Sequence, residues 1–304
     1  MSGDTWLSRF RQHLTRQDLA ETSIEGYLAD LHHFFHWLAD WRDCSMDLAT
    51  VTVADIRAYR QYLVNSKRQK PASVNRRLQA LRRFYGWAKQ AGLVAVNPAE
   101  AVRFRRRPPP TQPAALTKQE VHALLRVAGQ SPHGLSTRNY ALVQLLLQAG
   151  LRVSEVTRLQ SRDLDLRERS GMVTIVDGKG HKDRDVPLNA TARRAMAGYL
   201  ETRGELKPED PVFTSKRHSP MSVRALQKII ASLAARAKIE RIAVTAHALR
   251  HTFARNYLQA NPGGLVELAA LLGHESLDTT AIYAKASQES LAAAVERSEL
   301  NIYD

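Results

Sequence analysis

Cysteine is almost missing from this sequence: Cys44 is the single cysteine among 304 residues. One thiol excludes an internal disulfide and any metal site built from several thiolates. No apolar run approaches the about 20 residues that a membrane-spanning helix needs, and the N-terminus lacks the basic and apolar regions of a signal peptide. We therefore expect a globular cytoplasmic protein that makes no contact with a membrane.

Acidic residues are few relative to basic ones. The chain has 30 Asp and Glu against 44 Lys and Arg, which gives a formal net charge of +14 at pH 7. Basic side chains that neutralise phosphates release condensed counterions, so such an excess favours binding to nucleic acid. A basic surface that is only solvated is the alternative, and composition alone indicates no chemistry.

A proline-rich segment divides the chain. The sequence "RFRRRPPPTQPAALT" runs from Arg103 to Thr117, and its consecutive prolines remove backbone donors and favour an extended spacer. With 44% hydrophobic residues, both flanking parts are long enough to bury a core. We predict two independently folded domains, over residues 1–107 and 117–304, joined by a linker over 108–116.

Apolar residues recur at helical spacing throughout the first domain. We predict one helix from Ser23 onward, capped by Thr22 or Ser23, another from Ala54 to about Asn65, and a further helix from Ser73 to about Ala91. The last helix carries four arginines without interleaved acids, which ion pairs within the helix explain poorly. We expect these arginines and those before the linker to face DNA, with an ordinary solvated face as the alternative: Arg76, Arg77, Arg82, Arg83, Arg105, Arg106 and Arg107.

The second domain is also mostly helical. Thr117 is a candidate N-cap, and Gly150 is expected to end the strongly apolar helix "STRNYALVQLLLQAG". The exception is "GMVTIVDGKGHKDRDVPL", in which Met172–Val176 and Asp185–Leu188 flank a glycine-rich turn and predict a small β-hairpin. We expect a mainly α protein with one small hairpin or sheet.

Five short stretches of this domain carry groups suited to a phosphodiester. Each has an ordinary explanation when taken singly. Arg152 could form an ion pair with Glu155, Lys179 could be a solvated hairpin tip, and Tyr283 could be a half-buried aromatic. His247 and His251 have the spacing of a zinc half-site, but Ala248 stands where metalloprotease helices carry glutamate, so we predict no metal. The candidate catalytic residues are Arg152, Lys179, His247, Arg250, His274 and Tyr283.

Together these stretches resemble the active site of the tyrosine recombinases, the family of phage integrases and bacterial Xer recombinases. "GLRVSEV", the "GKG" turn, "HALRHTFA" and "LLGHESLDTTAIY" occur in the order of that family, with nine residues from His274 to Tyr283. The resemblance covers almost the whole chain and is nearest to compact Xer-like members. It implies an N-terminal four-helix SAM-like core-binding domain in front of a mostly helical catalytic domain.

The resemblance also implies a mechanism. Tyr283 is expected to attack a DNA phosphate and form a 3′-phosphotyrosine, which a 5′-hydroxyl later reverses, without metal or nucleotide cofactor. Planar guanidinium groups suit the non-bridging oxygens of that phosphate, and imidazoles add hydrogen bonds. The expected roles are phosphate binding by Arg152, Arg250, His247 and His274, with His247 also a candidate for taking the tyrosine proton, proton donation to the leaving group by Lys179, and support by Glu155 and His251.

The expected partner is double-stranded DNA with paired recombination sites, bound by a homo- or hetero-tetramer in the cytoplasm at the nucleoid. The segment "SQESLAAAVERSEL" after Tyr283 is a candidate for contact with a neighbouring subunit, and packing on its own domain is equally open. Two alternative functions remain at this point. One is a type IB topoisomerase-like enzyme that nicks and reseals one strand, and the other is a DNA-binding protein without catalysis.

Overall fold

The computed structural model describes residues 3–17, 19–42, 47–106, 113–131, 134–176, 183–274 and 276–283. Lys179, Arg107, most of the predicted linker and the segment after Tyr283 lie outside these residues. The chain divides into two compact units, Met1–Pro109 and Pro110–Asp304, named here the N-terminal and C-terminal units. The exact limits of a linker between them stay a prediction.

Four α-helices form the described part of the N-terminal unit. They are α1 (Gly3–Thr15), α2 (Glu21–Arg42), α3 (Val53–Asn65) and α4 (Pro71–Gln90). Their apolar stripes meet in a core rich in aromatic rings, in which Phe10, Phe34 and Phe84 are fully buried. The helices predicted from periodicity are confirmed, but the predicted cap is wrong: α2 begins at Glu21, so Thr22 and Ser23 lie inside its first turn.

The C-terminal unit is built around one buried helix. Its described helices are α5 (Lys118–Gly129), α6 (Ser136–Ala149), α7 (Val153–Arg158), α8 (Ala190–Glu201), α9 (Val223–Arg236), α10 (Ala246–Ala260), α11 (Leu265–Leu272) and α12 (Leu277–Ala281). Helix α6 is apolar on nearly every side, and α5, α8 and α10 pack around it, as expected for a helix enclosed by others. The predicted caps are confirmed, since the Thr117 hydroxyl accepts from the Glu120 amide and Gly150 ends α6.

The β structure is slightly larger than predicted. Strands β2 (Gly171–Ile175) and β3 (Arg184–Pro187) pair antiparallel as the sequence indicates, with Val173 opposite Val186. A third strand, β1 (Leu164–Leu166), pairs with the other edge of β2. Three residues carry too little alternation to predict a strand. Strands β2 and β3 lie on either side of the "GKG" sequence along the chain, and β3 packs beside α11.

Helix α12 is short and ends just before Tyr283. It stops at Ala281, and the Tyr283 amide then donates to the Thr280 carbonyl at 3.0 Å in a turn. Tyr283 therefore lies just beyond a short helix. Over the part of the chain that the structure describes, no helix combines the length and the apolar character that crossing a membrane requires.

Candidate active site

Helix α10 supplies three of the candidate side chains. The Thr245 hydroxyl caps its start by accepting from the Ala248 amide at 3.1 Å. His247, Arg250 and His251 follow at three- and four-residue steps, which place them on one face of a helix. The imidazoles of His247 and His251 meet edge to face, with ring centroids 4.0 Å apart.

Arg250 is the most deeply buried of the candidate cations that the structure describes, with 2% of its surface exposed. Its guanidinium donates through Nη1 to the Gly150 carbonyl at 2.8 Å and through Nη2 to the Leu272 carbonyl at 2.7 Å. Burial and then the charge of Arg152 lower its pKa to about 10, so it stays a cation at neutral pH. Two helix ends, those of α6 and α11, thus hold this charge in place.

Arg152 lies at the start of α7 and joins the same cluster. Its Nη1 donates to Glu155 Oε1 at 2.8 Å, and its Nη2 donates to the Gly273 carbonyl at 2.8 Å. The Glu155 carboxylate also accepts from the Arg152 backbone amide at 2.6 Å. The ion pair that sequence offered as an ordinary explanation is therefore present, and it orients Arg152 toward the other candidates.

Arg184 is a member of this cluster that the sequence did not single out. From β3 its Nη1 and Nη2 bind both oxygens of Glu155 at 3.0 and 2.8 Å, and its Nε donates to the Leu271 carbonyl at 3.0 Å. Burial raises the pKa of Glu155, but the hydrogen bonds from Arg184 and Arg152 outweigh burial and hold it below its usual value. The one sequence signal that could have pointed to Arg184 was its place at the start of a strand, close to the glycine-rich "GKG" sequence.

His274 follows the left-handed residue Gly273, which ends α11. Its Nε2 is 3.0 Å from Arg250 Nη2, and its Nδ1 is 2.7 Å from the hydroxyl of Thr280. A guanidinium has no acceptor, so Nε2 must accept and Nδ1 carries the proton that Thr280 receives. Burial, then Arg250, Arg152 and other nearby cations, lower the pKa of His274 to about 4, so the ring is neutral at pH 7.

Tyr283 reaches the cluster through His251. The Tyr283 hydroxyl is hydrogen-bonded to His251 Nδ1, and the two ring centroids are 5.4 Å apart. The phenol ring packs against a small apolar cluster from α10 and α11 that contains Ala254, Leu268 and Leu272. Burial raises the pKa of Tyr283, and the nearby Arg250 opposes this shift only in part.

The structure brings together most of the predicted site. The described residues that meet there are Arg152, Glu155, His247, Arg250, His251, His274 and Tyr283. Lys179 lies outside the described residues, so its role as a proton donor stays a prediction. No group of three or more His, Cys, Asp or Glu side chains arranged to hold a metal occurs within the described ranges.

The predicted DNA-facing arginines of α4 have partners within the N-terminal unit. Arg76 pairs with Asp30 on α2 at 2.5 Å, Arg77 donates to the Tyr59 hydroxyl at 3.2 Å, and Arg83 donates to Gln17 Oε1 at 2.6 Å. These partners come from other helices or from the turn after α1, so a search for acids within α4 could not find them. Contact with DNA stays a prediction for all of them.

Among the four arginines of α4, Arg82 makes the most hydrogen bonds to backbone carbonyls of the N-terminal unit. It donates to the carbonyls of Ala99, Glu100 and Val102 at 3.1, 3.2 and 2.6 Å, and its guanidinium lies 4.0 Å from the centre of the Phe104 ring. These contacts fix the segment after α4. Nearby, Arg105 is tied to Asn75 through its backbone, and Arg106 is exposed.

Gly150 is required by both its conformation and its surroundings. Its φ of +61° is left-handed, and a Cβ there would lie 2.3 Å from Phe253 Cδ1. We expect Gly150→Ala to lower the free energy of unfolding of the C-terminal unit by about 2 to 4 kcal/mol, because a left-handed strain of about 1 kcal/mol adds to overpacking. Urea unfolding followed by circular dichroism measures this loss.

Gly204→Ala is the matched control for that substitution. Gly204 has a φ of +71°, but nothing lies within 4 Å of the position of its Cβ. We expect it to lose only the conformational contribution of about 1 kcal/mol. If both variants lost the same free energy of unfolding, crowding of the new Cβ against Phe253 would not contribute to the destabilisation.

Family models match both units. The model of the phage integrase family matches residues 114–290, and the model of the phage integrase N-terminal SAM-like domain matches residues 7–92. The first match alone spans more than half of the chain. This chain belongs to the phage integrase family. It is a tyrosine recombinase, an enzyme of DNA recombination, and the mainly α fold with a SAM-like first domain is confirmed.

Individual relatives agree with this assignment. Tyrosine recombinase XerC of Myxococcus xanthus is 33% identical over 293 residues, which cover 94% of each chain. Among solved structures, the XerA recombinase is 28% identical with a TM-score of 0.53, covering 97% of this chain and 98% of its own. The XerH site-specific recombinase bound to difH substrate is 20% identical, with a TM-score of 0.75 and coverage of 97% and 85%, and it shows the shared fold.

Proposed function

We propose that this recombinase cleaves DNA by attack of the Tyr283 hydroxyl on a backbone phosphate held by Arg152 and Arg250. The hydrogen bond between Tyr283 and His251 carries this proposal, because it joins a phenol to the cluster that contains the buried Arg250 and the partly buried Arg152. A tyrosine that only packed in the core would need no such neighbours. Structural relatives bound to a difH substrate, to a circular intermediate DNA and to a COC′ core site support DNA as the substrate.

The cations answer a specific chemical need. A phosphodiester is already negative, and its transition state spreads further charge over the non-bridging oxygens. Arg250 is fixed by two carbonyls, and Arg152 is fixed by Glu155, so neither has to reorganise when the phosphate arrives. Preorganised donors of this kind stabilise a transition state more than mobile ones do.

His247 and His274 complete the proposed phosphate site. Because Nδ1 of His274 donates to Thr280, this ring can donate to a phosphate oxygen only after it takes a proton at Nε2. A bound phosphate favours that protonation, since its negative charge opposes the nearby arginines. Lys179, which lies between β2 and β3 in the sequence, is proposed to protonate the 5′-oxygen that leaves.

We propose that the reaction conserves the energy of the broken bond as a 3′-phosphotyrosine, so that a 5′-hydroxyl from a second strand completes an exchange. Paired sites on double-stranded DNA and a tetramer of subunits fit such an exchange, in the cytoplasm at the nucleoid. The residues after Tyr283 are proposed to contact a neighbouring subunit. The type IB topoisomerase-like and non-catalytic alternatives receive no support from the matched relatives.

A covalent adduct tests the proposal. A duplex that the protein selects from a randomised DNA pool is labelled at its 5′ end and nicked near the cleavage point, so that the short product diffuses away. We expect the wild-type chain to retain the label in a denaturing gel, and Tyr283→Phe to retain none. Peptide mass analysis should place the phosphotyrosyl bond at residue 283.

Tyr257→Phe is the matched control. Tyr257 packs against the same small apolar cluster as Tyr283, so its variant also loses a hydroxyl beside that cluster. It should form the adduct at the wild-type level. An adduct that survives in Tyr283→Phe, or none in the wild type on DNA that it binds, would contradict the proposal. Exchange between two plasmid-borne sites, rather than relaxation alone, separates a recombinase from a topoisomerase.

A further inference from the structure

The proposed attack leaves one proton without an assigned acceptor. Burial raises the pKa of the Tyr283 phenol, so the hydroxyl is protonated at neutral pH. A phenol is a weak nucleophile, and its proton must leave as the bond to phosphorus forms. The sequence favours His247 for this step, and the structure distinguishes the two histidines of α10.

The imidazole beside the phenol is that of His251. Its Nδ1 is hydrogen-bonded to the Tyr283 hydroxyl, whereas His247 lies one turn earlier on α10 and packs its ring against His251. The apolar cluster behind Tyr283 fixes the phenol ring at this position. A proton acceptor must lie within hydrogen-bond reach of the proton that it takes, and His251 meets this condition.

We propose that His251 accepts the hydroxyl proton of Tyr283 during cleavage and returns it during rejoining. In cleavage the proton moves from the phenol to Nδ1, the bond between the phenol oxygen and phosphorus forms, and the bond from phosphorus to the 5′-oxygen breaks. The leaving oxygen takes a separate proton, assigned above to Lys179. In rejoining, a 5′-hydroxyl attacks phosphorus and the departing phenol oxygen regains its proton from His251. This inference rests on the proposed nucleophilic role of Tyr283.

The charges around His251 make this step depend on the substrate. Burial, then the neighbouring His247, Arg250 and His274, lower the pKa of His251 to about 4, so the ring is neutral and able to accept at pH 7. So low a value also makes it a weak base in the free protein. A phosphate anion bound at Arg250 opposes these cations and raises the proton affinity of the ring. His251 is therefore a competent base only when DNA is in place.

His251→Asn separates proton transfer from positioning. The asparagine side chain places a hydrogen-bonding oxygen or nitrogen close to the position of Nδ1, but an amide cannot take a proton at neutral pH. We expect single-turnover adduct formation at pH 7 to fall about 100-fold, as is typical for the loss of general base catalysis. DNA affinity and the melting temperature should change little.

The dependence on pH gives the second readout. The wild-type rate should rise with pH to a plateau once His251 in the complex is unprotonated. The rate of His251→Asn should continue to rise about tenfold per pH unit, because solvent must then ionise Tyr283. The difference between the cleavage rates of the wild type and His251→Asn should therefore become smaller toward pH 9.

A more acidic phenol provides the decisive comparison. Trifluorotyrosine at position 283 ionises near neutral pH, so it should restore much of the rate of His251→Asn. It should leave the defect of the matched variant His247→Asn unchanged, because His247 is assigned to the phosphate rather than to the phenol. Rescue of His247→Asn instead would assign the base to His247 and overturn the inference.

The outcomes separate this inference from the function on which it rests. If the wild type forms no adduct, the nucleophilic role of Tyr283 fails first. If the wild type forms the adduct and His251→Asn matches its rate, the proposed function stands and the role of His251 as a base is wrong. His251→Asn could also form the adduct slowly, but with a loss of rate that does not change with pH or with trifluorotyrosine at position 283. Such a result would show that His251 only positions the tyrosine, and it would also overturn the inference.

Discussion

Replacing Arg250 by lysine is expected to lower the rate of DNA cleavage about 1,000-fold, which corresponds to about 4 kcal/mol of transition-state stabilisation. The guanidinium spans the Gly150 and Leu272 carbonyls with two nitrogens. A lysine is a point charge on a flexible stem and cannot make these contacts together while also binding two phosphate oxygens. Single-turnover adduct formation on a nicked duplex measures the change.

DNA binding should change far less than cleavage does in this variant. We expect affinity to come from many basic side chains that contact phosphates, of which Arg250 is one. We expect the dissociation constant to stay within about threefold in a gel-shift assay at fixed salt. The same division between cleavage and binding is expected for Arg152→Ala. Equal losses of the two would place these arginines in binding rather than in catalysis.

Arg255→Lys is the matched control for Arg250→Lys. Arg255 lies on the same helix, is partly buried and donates to the Leu116 carbonyl. It shares the cost of replacing a guanidinium that binds a backbone carbonyl, but it lies outside the phosphate site proposed here. Its cleavage rate should stay near that of the wild type. A comparable loss in Arg255→Lys would mean that the Arg250 defect reports on the folding of α10.

Replacing Arg184 by alanine is expected to lower the free energy of unfolding of the C-terminal unit by about 3 to 5 kcal/mol. The Arg184 and Glu155 side chains are 12% and 8% exposed and share two hydrogen bonds. Removing Arg184 leaves the buried Glu155 carboxylate with Arg152 as its remaining cationic partner, and losing one partner of a buried pair costs more than the pair itself contributes. The substitution also removes the donor to the Leu271 carbonyl, at the end of α11.

The distribution of tryptophans allows this loss to be assigned to one unit. All four tryptophans lie between residues 6 and 87, in the N-terminal unit, so their fluorescence serves as an internal reference. Hydrogen exchange in α6 reports on the C-terminal unit. In Arg184→Ala, exchange in α6 should accelerate while the fluorescence transition in urea stays in place.

Arg167→Ala is the control for a pair of the same type at the surface. Arg167 and Asp165 are 2.8 Å apart, but their side chains are 73% and 54% exposed. Exposed pairs of this kind contribute little to stability, because water screens both charges. Arg184→Ala could lower the free energy of unfolding no more than Arg167→Ala does. The Arg184 and Glu155 pair would then not be the structural link between β3 and α7 that the geometry indicates.

Helix positions were predictable because their signals are local. The stripes of α2 and α4, the Thr117 cap and the Gly150 stop all follow from spacing within a few residues of one another. Where the signal was short, prediction failed. The three residues of β1 carry too little alternation, and Thr22 and Ser23 were equally good caps for a helix that begins before both of them.

The partners of the charged groups were not predictable in the same way. The guanidiniums of α4 looked free because their acceptors lie on other helices, such as Asp30 for Arg76. Arg184 looked ordinary because Glu155 is 29 residues away in the sequence. An ion pair between distant residues leaves no periodic signal, so only the packing of the elements reveals it.

The amino-acid sequence by itself determined where the helices of this recombinase lie and which residue types are present for phosphate chemistry. Tertiary structure alone decided which of two histidines on one helical face meets Tyr283, and that Arg184 joins Arg152 at Glu155. The reason is physical: helical periodicity depends on neighbours along the chain, whereas a contact between α10 and the turn after α12 depends on how separate helices pack.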